Sequence, residues 1–240
     1  MNAFLADVLD AHGGAERWAG YRQVEATIVS GGGFFSLKGI VQDDSPRRMT
    51  VALHEEHVVL EPFGAADQRS VFTPERIAVE KTDGTVVGQR LAPKDSFAGH
   101  QMNTPWDPLQ RAYFNGEALW TYFTTPFLLA LPGVEVEEID PIQADEETWR
   151  VLRARFPASI ETHSAVQEFA FDGEDHLLRR HDYRVNIAGG FPAAQLTTDY
   201  VEAGGIRLPT TRRAYVRGPD AEPVTELAMI WIKLSEIEFS

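Results

Sequence analysis

The chain has 240 residues, 43% of them hydrophobic, and a formal charge of −14. That is enough chain for a sizeable core, and the acidic balance excludes a phosphate-neutralising face for DNA or RNA and disfavours anionic membrane surfaces. With no cysteine there is no disulfide framework, no thiolate metal site and no cysteine nucleophile.

The first segment pairs an apolar stripe, Phe4, Leu5, Val8 and Leu9, with Asp7 and Asp10, and Gly13-Gly14 supplies a stop, so an amphipathic helix laid on a sheet is expected. The two aspartates and the missing basic lead do not fit a signal peptide, and a cytoplasmic location is the expectation. The longest mostly apolar run, Phe123 to Leu131, falls short of the ~20 residues that span a bilayer, so no membrane insertion is expected. From Gln23 the apolar period becomes two. Val24, Ala26 and Ile28 form one strand, Gly31 to Gly33 a turn, and Phe35, Leu37, Gly39 and Val41 the next strand. Met49 to Leu53, His57 to Glu61, Val71, Ile77 to Val79 and Val86-Val87 continue an up-and-down meander, with Asp83-Gly84 as a hairpin turn.

A helix is expected from Pro105 to Thr125, with Thr104 as its cap, Pro105 at the first position and Asp107 three residues after the cap. Leu109, Ala112, Tyr113, Gly116, Leu119, Trp120 and Phe123 form its broad apolar face. Gly116 costs about 1 kcal/mol of helix stability relative to alanine, which points to a close backbone approach or a break. An acidic connection, Glu135 to Glu147, leads to further strands: Trp149 to Phe156, Val166 to Phe171, Leu177 to Ile187, Gln195 to Val201, Arg207 to Val216 and Leu227 to Phe239. Gly-containing turns separate the later runs, as in hairpins rather than βαβ units. The last strand is apolar on both faces, so both must be covered. One β-rich α+β domain over residues 1–240 follows.

This order of leading helix, antiparallel meander, central helical insertion and second meander resembles the lipoprotein-carrier fold of periplasmic outer-membrane lipoprotein carriers and their mycobacterial lipoprotein relatives. The stretches FDGEDHLLRRHDYRV, Phe171 to Val185, and YVEAGGIRLPTTRRAY, Tyr200 to Tyr215, carry the likeness. Through HGGAERW, SVFTPERIA and TPWDPLQRAYFNG the chain is also similar to cytoplasmic bacterial proteins of no established activity. The resemblance implies a strongly curved, unclosed antiparallel half-barrel, capped by the N-terminal helix and the central helical insertion, whose concave cavity takes an acyl chain or another lipophilic small molecule.

On the strand from Leu177 to Ile187 the odd positions read as the interior face, which places His181 and Tyr183 among apolar side chains, where burial favours neutral imidazole. A hydrogen-bonded core histidine is the competing reading. His100 lies in the approach to the aromatic helix at a position resembling a cavity mouth, and His163, just before a strand, is a candidate ligand-binding residue, with an exposed hairpin end as the alternative. His54-Glu55-Glu56-His57 sets its histidines three apart in a hairpin and does not match the helical zinc-protease spacing, so no metal and no other cofactor is expected. Trp106, Tyr113, Trp120, Phe123 and Phe127 are candidate ligand-binding rings, expected to border an apolar pocket, with core packing as the alternative. Three functions follow: binding of a lipophilic molecule; a cofactor-free isomerase, cyclase or hydrolase using His100, His181 and Tyr183; or a protein-interaction module. The oligomeric state stays open.

Overall fold

The computed structural model describes residues 2–41, 44–144 and 147–240. Among them thirteen strands form one antiparallel sheet that does not close into a barrel. The first meander comprises β1 (Gln23–Gly31), β2 (Arg47–Ala52), β3 (Val58–Glu61), β4 (Gln68–Phe72), β5 (Arg76–Lys81) and β6 (Val86–Leu91). The second comprises β7 (Glu135–Ala144), β8 (Glu147–Arg155), β9 (Val166–Asp172), β10 (Leu178–Val185), β11 (Phe191–Ala203), β12 (Ile206–Val216) and β13 (Ile230–Phe239). Each strand pairs with its neighbours in sequence, and β1 pairing with β13 joins the two meanders, leaving β6 and β7 as edges. The sheet is a curved half-barrel wrapped round its helices.

Alternation explains the central strands. In β1 every second side chain, Val24, Ala26 and Ile28, is buried, because successive strand residues face opposite sides. The N-terminal helix α1 (Ala3–Ala11) forms as its stripe predicts, with the Asn2 side chain accepting from the Phe4 and Leu5 amides. A second short helix, α2 (Ala15–Ala19), follows and was not anticipated.

Three expectations are corrected. The strand expected through Phe35, Leu37, Gly39 and Val41 is instead helix α3 (Gly33–Leu37). Gly32 takes a φ of 133° beside the Met229 carbonyl, and the Gly33 and Phe34 amides bond the Ala228 and Met229 carbonyls, so the chain turns in over β13. Phe34 and Phe35 are then both buried, which an alternating strand would not do. The central helix α4 (Pro108–Thr124) starts three residues later than expected. Asp107 and Gln110 form a reciprocal capping box and Pro108 takes the first turn, while Thr104 accepts from the Gln101 amide in a preceding turn. The acidic connection from Glu135 is β7; Asp145 and Glu146 lie outside the described residues. Its glutamates pair across the strands, Glu138 with Arg150 at 2.7 Å and Glu137 with Arg153 at 3.5 Å. Such exposed pairs add little stability, but they put charge on an edge.

α4 lies across β2 to β6. Gly116 is the point of closest approach: a Cβ there would enter the van der Waals envelope of Phe72 Cβ and Cγ on β4, so the backbone approach anticipated from sequence is present. On β10 both faces are covered. His181 and Tyr183 point into the core, while Arg180 and Asp182 are also buried, paired at 2.8 Å with Arg217 on Asp182 at 3.0 Å.

Candidate functional site

The rings of α4 do not share one environment. Tyr113 is fully buried against Phe72 and Phe97, at ring separations of 5.4 and 5.3 Å. Phe127, just beyond the helix, stacks on Trp18 of α2 at 4.2 Å. Trp120 and Phe123 are core. Burying such a ring contributes about 2–3 kcal/mol by area. Two voids border the inner side of α4, about 20 Å³ beside Phe114 and Tyr122 and about 10 Å³ between Phe34 and Tyr183. Neither is large enough for more than a water molecule.

The larger space is at the amino-terminal end of α4. A cleft of about 690 Å³ opens between the loop after α3, the β3 to β6 side of the sheet and the first turn of the helix. Phe63, Val79, Val87, Trp106 and Leu109 supply apolar walls, and Gly88 of β6 leaves one wall without a side chain. Of the five expected rings, Trp106 alone borders it. Its polar fringe is committed. Asp107 caps α4 and pairs with Arg90 at 2.7 Å, and its carboxyl lies below the usual range; burial opposes that depression, and the Arg90 and amide hydrogen bonds outweigh it. Arg111 donates to the Val41 carbonyl at 3.0 Å, with its guanidinium 4.1 Å from the Phe63 ring centroid.

Behind Trp106 lies Lys38, in the cap of α3 and fully buried. Its ammonium donates to the Gln101 carbonyl at 2.8 Å and sits 4.4 Å from the Trp106 ring centroid and 5.1 Å from that of Phe34. Burial pulls its pKa down to about 8. His100 stands beside this group, edge-on to Phe97 at 5.7 Å; desolvation first, and the Lys38 charge second, lower its pKa.

The other predicted residues meet elsewhere. His163, His181 and Tyr183 converge with Tyr122 and Glu117 of α4 in a buried network. His163 Nδ1 lies 3.3 Å from the Glu117 carboxylate, and its Nε2 lies 3.2 Å from the Tyr122 hydroxyl, which is 2.9 Å from that of Tyr183. The His163 ring stacks on Tyr183 at 4.5 Å. His181 donates from Nε2 to Gln167 Oε1 at 2.6 Å and stacks on Phe169. Burial, then His163 and Arg212, hold its pKa well below the usual value, so it is neutral. Burial also raises the Tyr183 phenol and pushes Tyr122 up to about 12. Arg212 of β12 closes the network, donating to Gln195 Oε1 at 2.9 Å and to the Tyr122 carbonyl at 2.7 Å. The structure thus joins His181, Tyr183 and His163 and places His100 in the separate group at Lys38.

Sequence reading missed Glu117, Lys38 and Arg212. Glu117 had a signal: it stands four residues after Tyr113, so a carboxylate falls on the apolar stripe of α4. Lys38 was hidden by the strand assignment. Nearby, Glu56 accepts from the Glu161 amide at 2.8 Å, and burial raises its carboxyl to about 8.

No family model and no curated protein matches the chain. Among solved structures it is similar to a LolA superfamily protein from Nitrosomonas europaea, with 12% identity and a TM-score of 0.53 over 98% of this chain and 92% of that one. A DUF1329 family protein from Desulfovibrio piger matches at 11% identity and TM-score 0.55, covering 99% and 92%. A putative outer membrane lipoprotein-sorting protein domain from Vibrio parahaemolyticus matches at 10% identity and TM-score 0.55, covering 98% and 92%. The chain has a lipoprotein-carrier-like fold.

Proposed function

We propose that this protein binds a lipophilic small molecule or acyl chain in the cleft at the amino-terminal end of α4. The observation that carries this reading is a cleft of about 690 Å³ walled by Phe63, Val79, Val87, Trp106 and Leu109, within the ~300–1,000 Å³ typical of small-molecule sites and apolar as they are. The fold likeness to a lipoprotein-sorting protein domain supports it only by analogy. Filling the cleft tests it. Gly88→Phe places a ring where the nearest neighbour of an added Cβ, Leu109, is 4.0 Å away. Native mass spectrometry and tryptophan fluorescence titration with a fatty-acid and fatty-alcohol panel should show binding to the wild type and a loss of about tenfold or more in the variant. Saturable binding that Gly88→Phe leaves unchanged, or no binding by the wild type, defeats this reading.

Catalysis is the second reading, and one observation favours it: the Glu117, His163, Tyr122 and Tyr183 line is a buried acid–base chain of the kind enzymes use. None of its members borders the cleft, which is why binding is placed first. A cofactor-free isomerase, cyclase or hydrolase would lose turnover with His163→Gln while ligand affinity stayed the same.

A further inference from the structure

Apart from Trp106, whose indole Nε1 is buried out of reach, the residues that bring polar side chains to the lining of the cleft are Gln68, Asp107 and Arg111. The two charged groups are already engaged. Asp107 accepts from Arg90 on both oxygens, at 3.4 Å on Oδ1 and 2.7 Å on Oδ2, and from the Gln110 amide. With that carboxylate as its cap, the amino terminus of α4 has its anion and offers little to a second. Arg111, only 8% exposed, donates to the Val41 carbonyl and lays its guanidinium on the Phe63 ring. A charged head group taken out of water here would lack a compensating partner, which is costly, and the formal charge of −14 opposes an anion further. Gln68 differs. It stands on β4 at the parity of Ser70 and Phe72, both buried, and is itself half-buried. Its side-chain amide bonds no described residue, and Gly64 beside it carries no side chain to cover it: a Cβ there would stand 3.7 Å from Gln68 Oε1.

We propose that the ligand of the cleft is a neutral lipophile, a long-chain alcohol, whose alkyl body lies along Val79, Val87 and Leu109 while its hydroxyl hydrogen-bonds the Gln68 side-chain amide. The inference rests on the binding function proposed above and adds the chemistry of the head group. The amide offers a donor, Nε2–H, and an acceptor, Oε1; a hydroxyl can pair with either, whereas a ketone or an ester pairs with the donor alone. The apolar walls then meet only hydrocarbon, and no charge leaves water.

The test compares ligands that differ only in the head group. Isothermal titration of the full chain at pH 7 with decanol, decanoate and decylammonium, below their aggregation concentrations, should rank decanol tightest, by about tenfold or more over either ion. Gln68→Leu keeps much of the volume and removes both hydrogen-bonding atoms; it should weaken decanol about threefold to tenfold and leave decanoate unchanged. Gln68→Lys sets a cation at the same half-buried position and should turn the preference over to decanoate. Decanoate or decylammonium binding the wild type as tightly as decanol overturns the neutral head group and leaves the apolar cleft standing. Decanol affinity unchanged in Gln68→Leu, or no gain for decanoate in Gln68→Lys, overturns the assignment to Gln68, and failure of every ligand to bind overturns the cleft reading and this one together.

Discussion

Between β2 and β6 the interior under α4 is a layer of rings and aliphatic side chains that is left unfilled at the amino-terminal end of the helix. Across β9 to β12 it is a connected polar network, from Glu117 and His163 through Tyr122 and Tyr183 to Arg212, with only traces of void. The same curved sheet supports both. The contrast shows where a guest can be admitted: entering an apolar, unfinished layer breaks no hydrogen bond of the protein, whereas entering the network would strand donors and acceptors that have no water to turn to.

The largest effect should come from breaking the network. Arg212→Ala removes a buried side chain and leaves Gln195 Oε1 and the Tyr122 carbonyl without their donor, for a loss of about 3–5 kcal/mol in urea unfolding. A loss below about 1 kcal/mol would mean that the unpaired cation is itself costly enough to cancel its hydrogen bonds.

Opposite pH dependence sharpens the comparison. His12, on the β9 to β12 flank, donates from Nδ1 to the Val8 carbonyl and packs edge-on to Phe171 and Tyr200; burial lowers its pKa to about 4. The unfolded chain therefore takes up the proton first, and stability present above pH ~6.5 should fall by on the order of 3 kcal/mol as pH drops through about 4. Glu56, on the β2 to β3 hairpin, is raised to about 8 by burial. Its favourable, protonated state is fully populated below the unfolded carboxylate pKa, and that contribution is lost as pH rises through about 8. Unfolding of His12→Leu and Glu56→Gln across pH 4 to 9 should flatten the acid and the alkaline limb respectively. Neither limb moving would place the titration elsewhere.

Under α4, Gly116→Ala sets about 1 kcal/mol of helix propensity against overlap with Phe72. Overlap with a sheet side chain should win, for a net loss of about 2 kcal/mol that Phe72→Leu partly recovers. Stabilisation by Gly116→Ala would show that helix and sheet can separate there. The smallest change in stability, within about 0.5 kcal/mol, is expected for Gly88→Phe on the edge strand β6, because the added ring enters open space. A large loss would show that the cleft wall is part of the core.

Apart from β7, the strands of both meanders and the stripe of α1 were legible because apolar period reports which face is buried, and burial is a property of a single segment. Gly116 was legible too, since glycine inside a helix has a cost that only a close approach offsets. What lies opposite a buried face was not legible. The period of two at Phe35 and Leu37 read as a strand, yet backbone bonds to Ala228 and Met229 make a helix there. Two proline starts competed three residues apart, and the capping box at Asp107 and Gln110 decided for the second. His181 and Tyr183 were read correctly as interior, but their joining with His163, Glu117 and Arg212 brings four segments together. The meeting of Lys38 with Trp106 likewise spans β2 to β6. Local sequence determines the pattern of burial along each element, whereas the partners of buried polar groups and the place where packing stops short depend on how distant elements are stacked, which only the tertiary structure decides.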